Sequence, residues 1–229
     1  LDDYFNQIDK QKIKAELNFL KKRLPKKCTK YNYQLLNTFL TSKIEFGMHI
    51  QEKLQKVADA MREHLLINEP IKIITIKNID AGKFETIGDL NCIYINENTS
   101  TQDFFQKTAI LAHEMSHYYL IRKHGIIRKN ENENELLTEI ATIYCGFGLI
   151  LFEGYKNIKS DRGNYSLESK VGYINTNTIK EAIIQTAYLR KQNPEFIMNN
   201  LNLNMFDKLI IRWRFRELTK KYKEAIKRK

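Results

Sequence analysis

The chain's 229 residues are 42% hydrophobic and 28% charged, a globular composition that excludes disordered, collagen-like and repeat-only architectures. Only 3 prolines and 9 glycines leave little material for a many-turned all-β fold, so helices are expected to dominate. Lys+Arg 38 against Asp+Glu 27 leaves a net charge of +11, which suits an anionic partner, although the richness in Lys, Asn and Ile typical of an AT-rich genome accounts for part of it.

Cys28, Cys92 and Cys145 are odd in number and show no C-x-x-C spacing, which argues against a disulfide framework and against a cysteine zinc knuckle. A reducing compartment fits this usage. The longest apolar run, Ile140–Phe152, is interrupted by Gly146 and Gly148 and is expected to be too short to cross a bilayer. Leu1-Asp2-Asp3 does not resemble a signal peptide, so the expected location is cytoplasmic.

In chain order, Ile13, Leu17, Leu20 and Leu24 recur at helical spacing before Pro25 stops the pattern. Leu36, Leu40, Ile44, Ile50, Leu54, Val57, Met61 and Leu65 continue one apolar stripe as a second, longer helix ending at Asn68-Glu69-Pro70. The β-branched run Ile71–Ile76 predicts a strand, Asp80-Ala81-Gly82 and Gly88-Asp89 predict turns, and Leu90–Asn96 alternates as a second strand. Ser100 with Asp103 forms a capping box that should open a helix running through His117 to a stop at Gly125. A polar loop over 129–134 leads to an apolar helix from about Glu135. Residues 154–172 read as irregular, and two further helical segments are separated near Pro194. The last, Leu209–Arg216, alternates like a strand, but its Lys-rich flanks lack turn signals and favour a helix.

Chemistry concentrates at His113-Glu114-Met115-Ser116-His117, the pattern H-E-x-x-H. Residues four apart share a helix face, so both imidazoles can reach one metal ion while Glu114 stands at the edge of that face, beside a metal-bound water. Catalytic zinc usually takes a third protein ligand. His124 lies one residue beyond the spacing of the three-histidine variant, and Leu120 stands where that variant needs glycine. The following helix offers Glu135 and Glu139, again four apart; on spacing alone either can be the third ligand. Glu131 and Glu133 suit a helix N-terminus as solvated charges.

This arrangement resembles the gluzincin class of zincin metallopeptidases, which carry H-E-x-x-H on one helix and E-x-x-x-D on the next. The resemblance covers roughly residues 88 to 175. It implies His113, His117 and Glu135 as zinc ligands, Glu114 as general base, and Glu139 as the acid that buttresses a ligand histidine. Glu139 departs from the pattern, standing one methylene longer than the usual Asp. The Leu-Thr-acid stretch, Gly146-Phe147-Gly148 and Gly172-Tyr173 also resemble poorly characterised bacterial proteins with the same motif. The implied fold is α+β and zincin-like, mostly helical with a small β-sheet next to the motif helix. The implied activity is zinc-dependent hydrolysis of a peptide or protein substrate. By analogy, the Leu90–Asn96 strand would be the sheet edge that receives an extended peptide. An oxyanion-stabilising tyrosine could be any of Tyr118, Tyr119, Tyr144, Tyr155 and Tyr173.

His49 and His64 lack acidic partners at ligand spacing and read as ordinary, and Gly146 and Gly148 permit close contact or mark a kink. The tail from Lys208 interleaves basic residues with Trp213, Phe215 and Tyr222, so an anionic partner through this segment is a second expectation. The organisation expected is a helical scaffold over 1–69, a metallopeptidase core over 70–192 and a basic helical segment over 193–229, with one compact domain as the alternative. Two rival functions are a basic nucleic-acid-binding module with incidental histidines, and an inactive zincin-like domain that binds without cleaving. Ligand chemistry favours Zn2+, although His₂Glu sites accept other divalent ions.

Overall fold

A computed structural model of the chain describes residues 8, 10–25, 48–77, 79, 81–97, 104–156, 173–200 and 205–227. Helix α1 (Lys10–Arg23) buries Ile13, Leu17 and Leu20 on one side. Helix α2 (Ile50–His64) buries Leu54, Val57, Ala58 and Met61 and is capped by His49, whose extended backbone and whose Nδ1, accepting from the Gln51 amide, start the helix at Ile50. The single helix expected from Leu36 to Leu65 is therefore not continuous. The earlier part of that apolar stripe, Cys28, the box at Ser100 and Asp103, and residues 157–172 lie outside the described residues.

The sheet has three strands, β1 (Ile71–Ile76), β2 (Gly82–Ile87) and β3 (Leu90–Asn96), in the order β1-β3-β2. β3 pairs parallel with β1 and antiparallel with β2, so Ile73 and Phe84 both stand opposite Ile93. This corrects the expected edge. Leu90–Asn96 is the central strand, and its backbone groups are committed on both sides. The outer edge of β1 is closed by the Gln55 side chain of α2, which accepts from the Ile73 amide and donates to the Ile71 carbonyl, each at 2.9 Å. A carboxamide thus takes the place of another strand. Among the described residues the open edge is β2, which the sequence pattern did not reveal as a strand.

Helix α3 (Phe104–Tyr118) is buried on almost every side from Gln106 to Ser116, so it is the central rod rather than a surface helix. It continues into a widened turn at Tyr119–Lys123 and ends at Gly125, where the Ile126 amide donates back to the Leu120 carbonyl. Helix α4 (Glu131–Thr142) begins one turn earlier than its apolar periodicity predicts. Asn130 caps it by accepting from the Glu133 amide, and Glu131 and Glu133 occupy the favourable first turn.

α4 passes through a second widened turn, Ile143–Phe147, into α5 (Gly148–Lys156). Gly146 sits there at φ 105°, a conformation that side chains rarely adopt. The carbonyls freed by this break are met by His64, whose Nε2 lies 2.7 Å from the Cys145 oxygen, and by Arg190, which donates to the Tyr144 oxygen. His64 is therefore a structural plug. Burial is the main influence lowering its pKa, with the Arg190 charge acting the same way.

Although Gly146 breaks the helix, Glu131–Tyr155 taken together is 25 residues, long and apolar enough to cross a membrane by length and composition alone. Of its most apolar window, 89% is buried within the protein. Helices α6 (Thr176–Leu189), α7 (Pro194–Asn200) and α8 (Met205–Lys227) complete the chain, the last confirming the helical choice for Leu209–Arg216. One apolar cluster runs through the elements from Ile13 to Phe215, giving an α+β fold, mostly helical with a small mixed sheet.

Candidate metal centre

His113 and His117 project from one face of α3, their rings 4.7 Å apart and edge to face. Helix α4 lies opposite and carries Glu135, whose Oε2 is 3.1 Å from the Nε2 of each histidine. The three ligand atoms all lie within 4.8 Å of one another, so this His–His–Glu cluster could hold a metal ion. His124 is not part of it and packs edge to face on Tyr119.

The atoms behind the ligands orient them. His117 Nδ1 is 3.1 Å from Thr138 Oγ1, and that hydroxyl already donates to the Asn134 carbonyl. While that bond is kept, the hydroxyl can only accept from Nδ1–H, the tautomer in which Nε2 is available to a metal ion. His113 Nδ1 faces Glu139 Oε1 at 3.6 Å, too long for a hydrogen bond. Glu139 is fully buried and accepts from the Tyr155 hydroxyl at 2.6 Å and the Tyr173 amide at 3.1 Å. Glu139 thus stands behind His113 while Glu135 faces both Nε2 atoms. His113 Nδ1 and Glu139 Oε2 are both buried without a hydrogen-bond partner. Two imidazoles and a carboxylate converging on one point are a donor set that zinc favours.

The charges are arranged to match. Burial alone would lower the His113 pKa, but its bond to Glu135, with Glu139 and Glu114 close by, raises it to about 9. Burial works against the Glu135 carboxylate, yet the two imidazoles hold it down at about 2. Glu139 is pushed upward, chiefly by burial. These directions favour a protonated His113 beside an ionised Glu135 when no metal ion is bound.

This has a signed consequence for pH. The His113 contribution to stability is fully present below its unfolded value near 6.5 and is lost as pH rises through about 9. The Glu135 contribution is present above 4.5 and is lost as pH falls through about 2. Metal-free protein should therefore melt highest, as far as this pair is concerned, between pH 4.5 and 6.5. Metal affinity runs the other way, because binding must expel the His113 proton. It should strengthen about tenfold per pH unit until pH approaches about 9, measured by chelator competition. An affinity flat from pH 6 to 8 would contradict this electrostatic picture.

Glu114 is buried beside the cluster and its Oε2 accepts from the Phe84 amide of β2 at 2.9 Å. That contact needs the strand to approach α3 closely. A Cβ on Gly82 would lie 2.4 Å from Ile110 Cγ2 and 3.1 Å from Glu114 Cγ. Gly82→Ala should therefore push β2 away from α3, costing about 1–3 kcal/mol of stability by overpacking in a denaturant melt. A variant as stable as the parent would show that this approach is not tight. Phe84 reinforces it from the same face of the strand, packing edge to face on Tyr118 at 5.2 Å.

His113, Glu114, His117 and Glu135 line one cleft of about 380 Å³ with Gly82, Phe84, Tyr155 and Tyr173. Of the five tyrosines considered, Tyr118, Tyr119 and Tyr144 pack in the core, and Tyr155 and Tyr173 reach this cleft. Tyr173 stacks on His113 with ring centroids 5.8 Å apart, and burial with the neighbouring carboxylates raises its hydroxyl to about 12. The β2 edge and the supporting Thr138 escaped the sequence reading. Thr138 had a recoverable signal, since it lies three residues after Glu135 on the face that meets α3.

Comparison of the chain with protein-family models, with curated proteins and with solved structures finds no match. The site therefore stands on its own geometry: two histidines on one buried helix and a glutamate on the next, converging on one point.

Proposed function

We propose that the protein is a zinc-dependent peptidase in which Glu114 is the general base. The observation that carries this reading is the shared cleft, where the Glu114 carboxylate lies beside a convergent His–His–Glu donor set. His113, His117 and Glu135 would hold the ion. When bound, zinc supplies Lewis acidity, acidifying water and polarising a carbonyl.

The chain's own groups do the rest. Glu114 Oε2 is engaged by the Phe84 amide, which leaves Oε1 to accept a proton from the attacking water and return it to the leaving amine. Tyr173, protonated far above neutral pH, offers a hydroxyl in the cleft that can donate to a developing oxyanion. The edge of β2, apart from the Phe84 amide that Glu114 holds, lies alongside and could pair with an extended substrate backbone.

Incubation with denatured protein and peptide mixtures, read by mass spectrometry, tests the activity. New termini should accumulate with zinc present, stop on chelation and return when zinc is restored. Intact substrates under all three conditions, with the metal demonstrably bound, would favour a zincin-like domain that binds without cleaving.

A further inference from the structure

Helix α8 carries a feature that the metal site does not use. Its inner face is set by Ile211, Arg214 and Phe215, all buried, and Arg214 is spent inside the protein on Glu181 and Glu217. The opposite face carries two parallel rows at i, i+4 spacing. Met205, Leu209 and Trp213 form an apolar row, exposed by 83%, 55% and 59%. Lys208, Arg212, Arg216 and Lys220 form a cationic row beside it, the last three exposed. Ile210 extends the apolar strip on its other side. Among the described side chains, the acids near these rows are Glu195, which pairs with Arg212 at the surface, Glu217, which follows Trp213 by four residues and pairs with Arg214, and Glu224 towards the end of the helix.

We infer that this face of α8 docks in the interface of an anionic lipid bilayer, Met205, Leu209, Ile210 and Trp213 entering the acyl boundary and the cationic row meeting lipid phosphates. Large apolar side chains on one strip with Lys and Arg along its flank are what an interfacial helix needs. The long stems of the cations let their charges reach the headgroups while the helix lies in the plane.

The same residues disfavour two other occupants. A nucleic acid would use exposed rings for stacking, whereas Met205, Leu209 and Ile210 present no ring. A second copy laid on the strip would bring two cationic rows together. This inference is independent of the metal site and stands whether or not the protein cleaves peptides.

Trp213 is the chain's single tryptophan, so tryptophan emission, excited selectively over the tyrosines, reports on this strip alone. Adding phosphatidylcholine–phosphatidylglycerol vesicles to the full chain should shift the emission to the blue and bring the protein down with the vesicles. Vesicles of phosphatidylcholine alone should do neither, and high salt should weaken the effect. Arg216→Glu with Lys220→Glu, both at exposed positions, should weaken partitioning by about tenfold or more with the circular dichroism spectrum unchanged. Leu209→Ser should reduce the blue shift. An unchanged emission on anionic vesicles would overturn the inference. So would quenching by single-stranded DNA with vesicles inert, or self-association that shifts the emission without lipid; these results would assign the strip to nucleic acid or to a second copy.

Discussion

Glu114→Gln should retain the metal and lose peptide hydrolysis by at least about a hundredfold, since general-base catalysis contributes factors of that size or more. The substitution is close to isosteric, so the α3 helix and both histidines should be undisturbed. The remaining carbonyl oxygen of the amide can still accept from the Phe84 amide, which preserves the contact between α3 and β2. What disappears is the lone pair on Oε1 that takes the proton. Unchanged turnover of an identified substrate would remove Glu114 from the mechanism and leave the role of base to another group in the cleft.

The second large effect separates the two glutamates of α4. Glu135→Ala deletes the carboxylate that faces both Nε2 atoms, and should reduce zinc affinity by more than about a hundredfold. Glu139→Ala removes a carboxylate that faces His113 Nδ1 and holds the Tyr155 hydroxyl and the Tyr173 amide. Loss of such an orienting group costs about tenfold to a hundredfold in metal affinity. It should also destabilise the fold, because the buried Tyr155 hydroxyl and the half-buried Tyr173 amide lose their acceptor. The readouts are a metal titration and a denaturant melt for each variant. If Glu139→Ala loses more zinc than Glu135→Ala, the assignments of ligand and support are reversed.

The extra methylene of Glu139 no longer looks like a defect. The carboxylate is buried beside the imidazole it could orient, and two further donors pin it there. Its 3.6 Å separation from His113 Nδ1 leaves both groups short of a hydrogen bond, and a shift of the ring towards Glu139 would close it.

Helical spacing made α1, α2, α3 and the motif legible in the sequence, because one periodicity encodes both which side is buried and which residues share a face. His113 and His117 follow from that rule alone. The strand β2 does not. Lys83 and Glu85 point outward and pair with each other, only Phe84 is a large apolar residue inside the segment, and Gly82 reads as part of a turn. What makes Gly82–Ile87 a strand is its pairing with β3 and its contact with Glu114 across thirty residues of chain, which no local pattern records. Missing β2 also placed the sheet edge on β3, since a pair of strands leaves the second one exposed and a third covers it.

The supporting groups were illegible for the same reason. Tyr155 and Tyr173 reach Glu139 from later parts of the chain, and nothing local distinguishes them from Tyr118, Tyr119 and Tyr144. The start of α4 was hidden differently. Asn130 and the acids at 131 and 133 look like a polar loop until the cap is recognised, after which the same residues read as a first helical turn.

Elemental analysis of the purified protein beside His113→Ala tests the central claim most directly. The account predicts close to one zinc per chain in the parent and its loss in the variant, with the fold retained by circular dichroism. A parent that binds no divalent ion even after incubation with zinc, or a variant that keeps its full complement, would contradict the metal centre and with it the proposed hydrolysis.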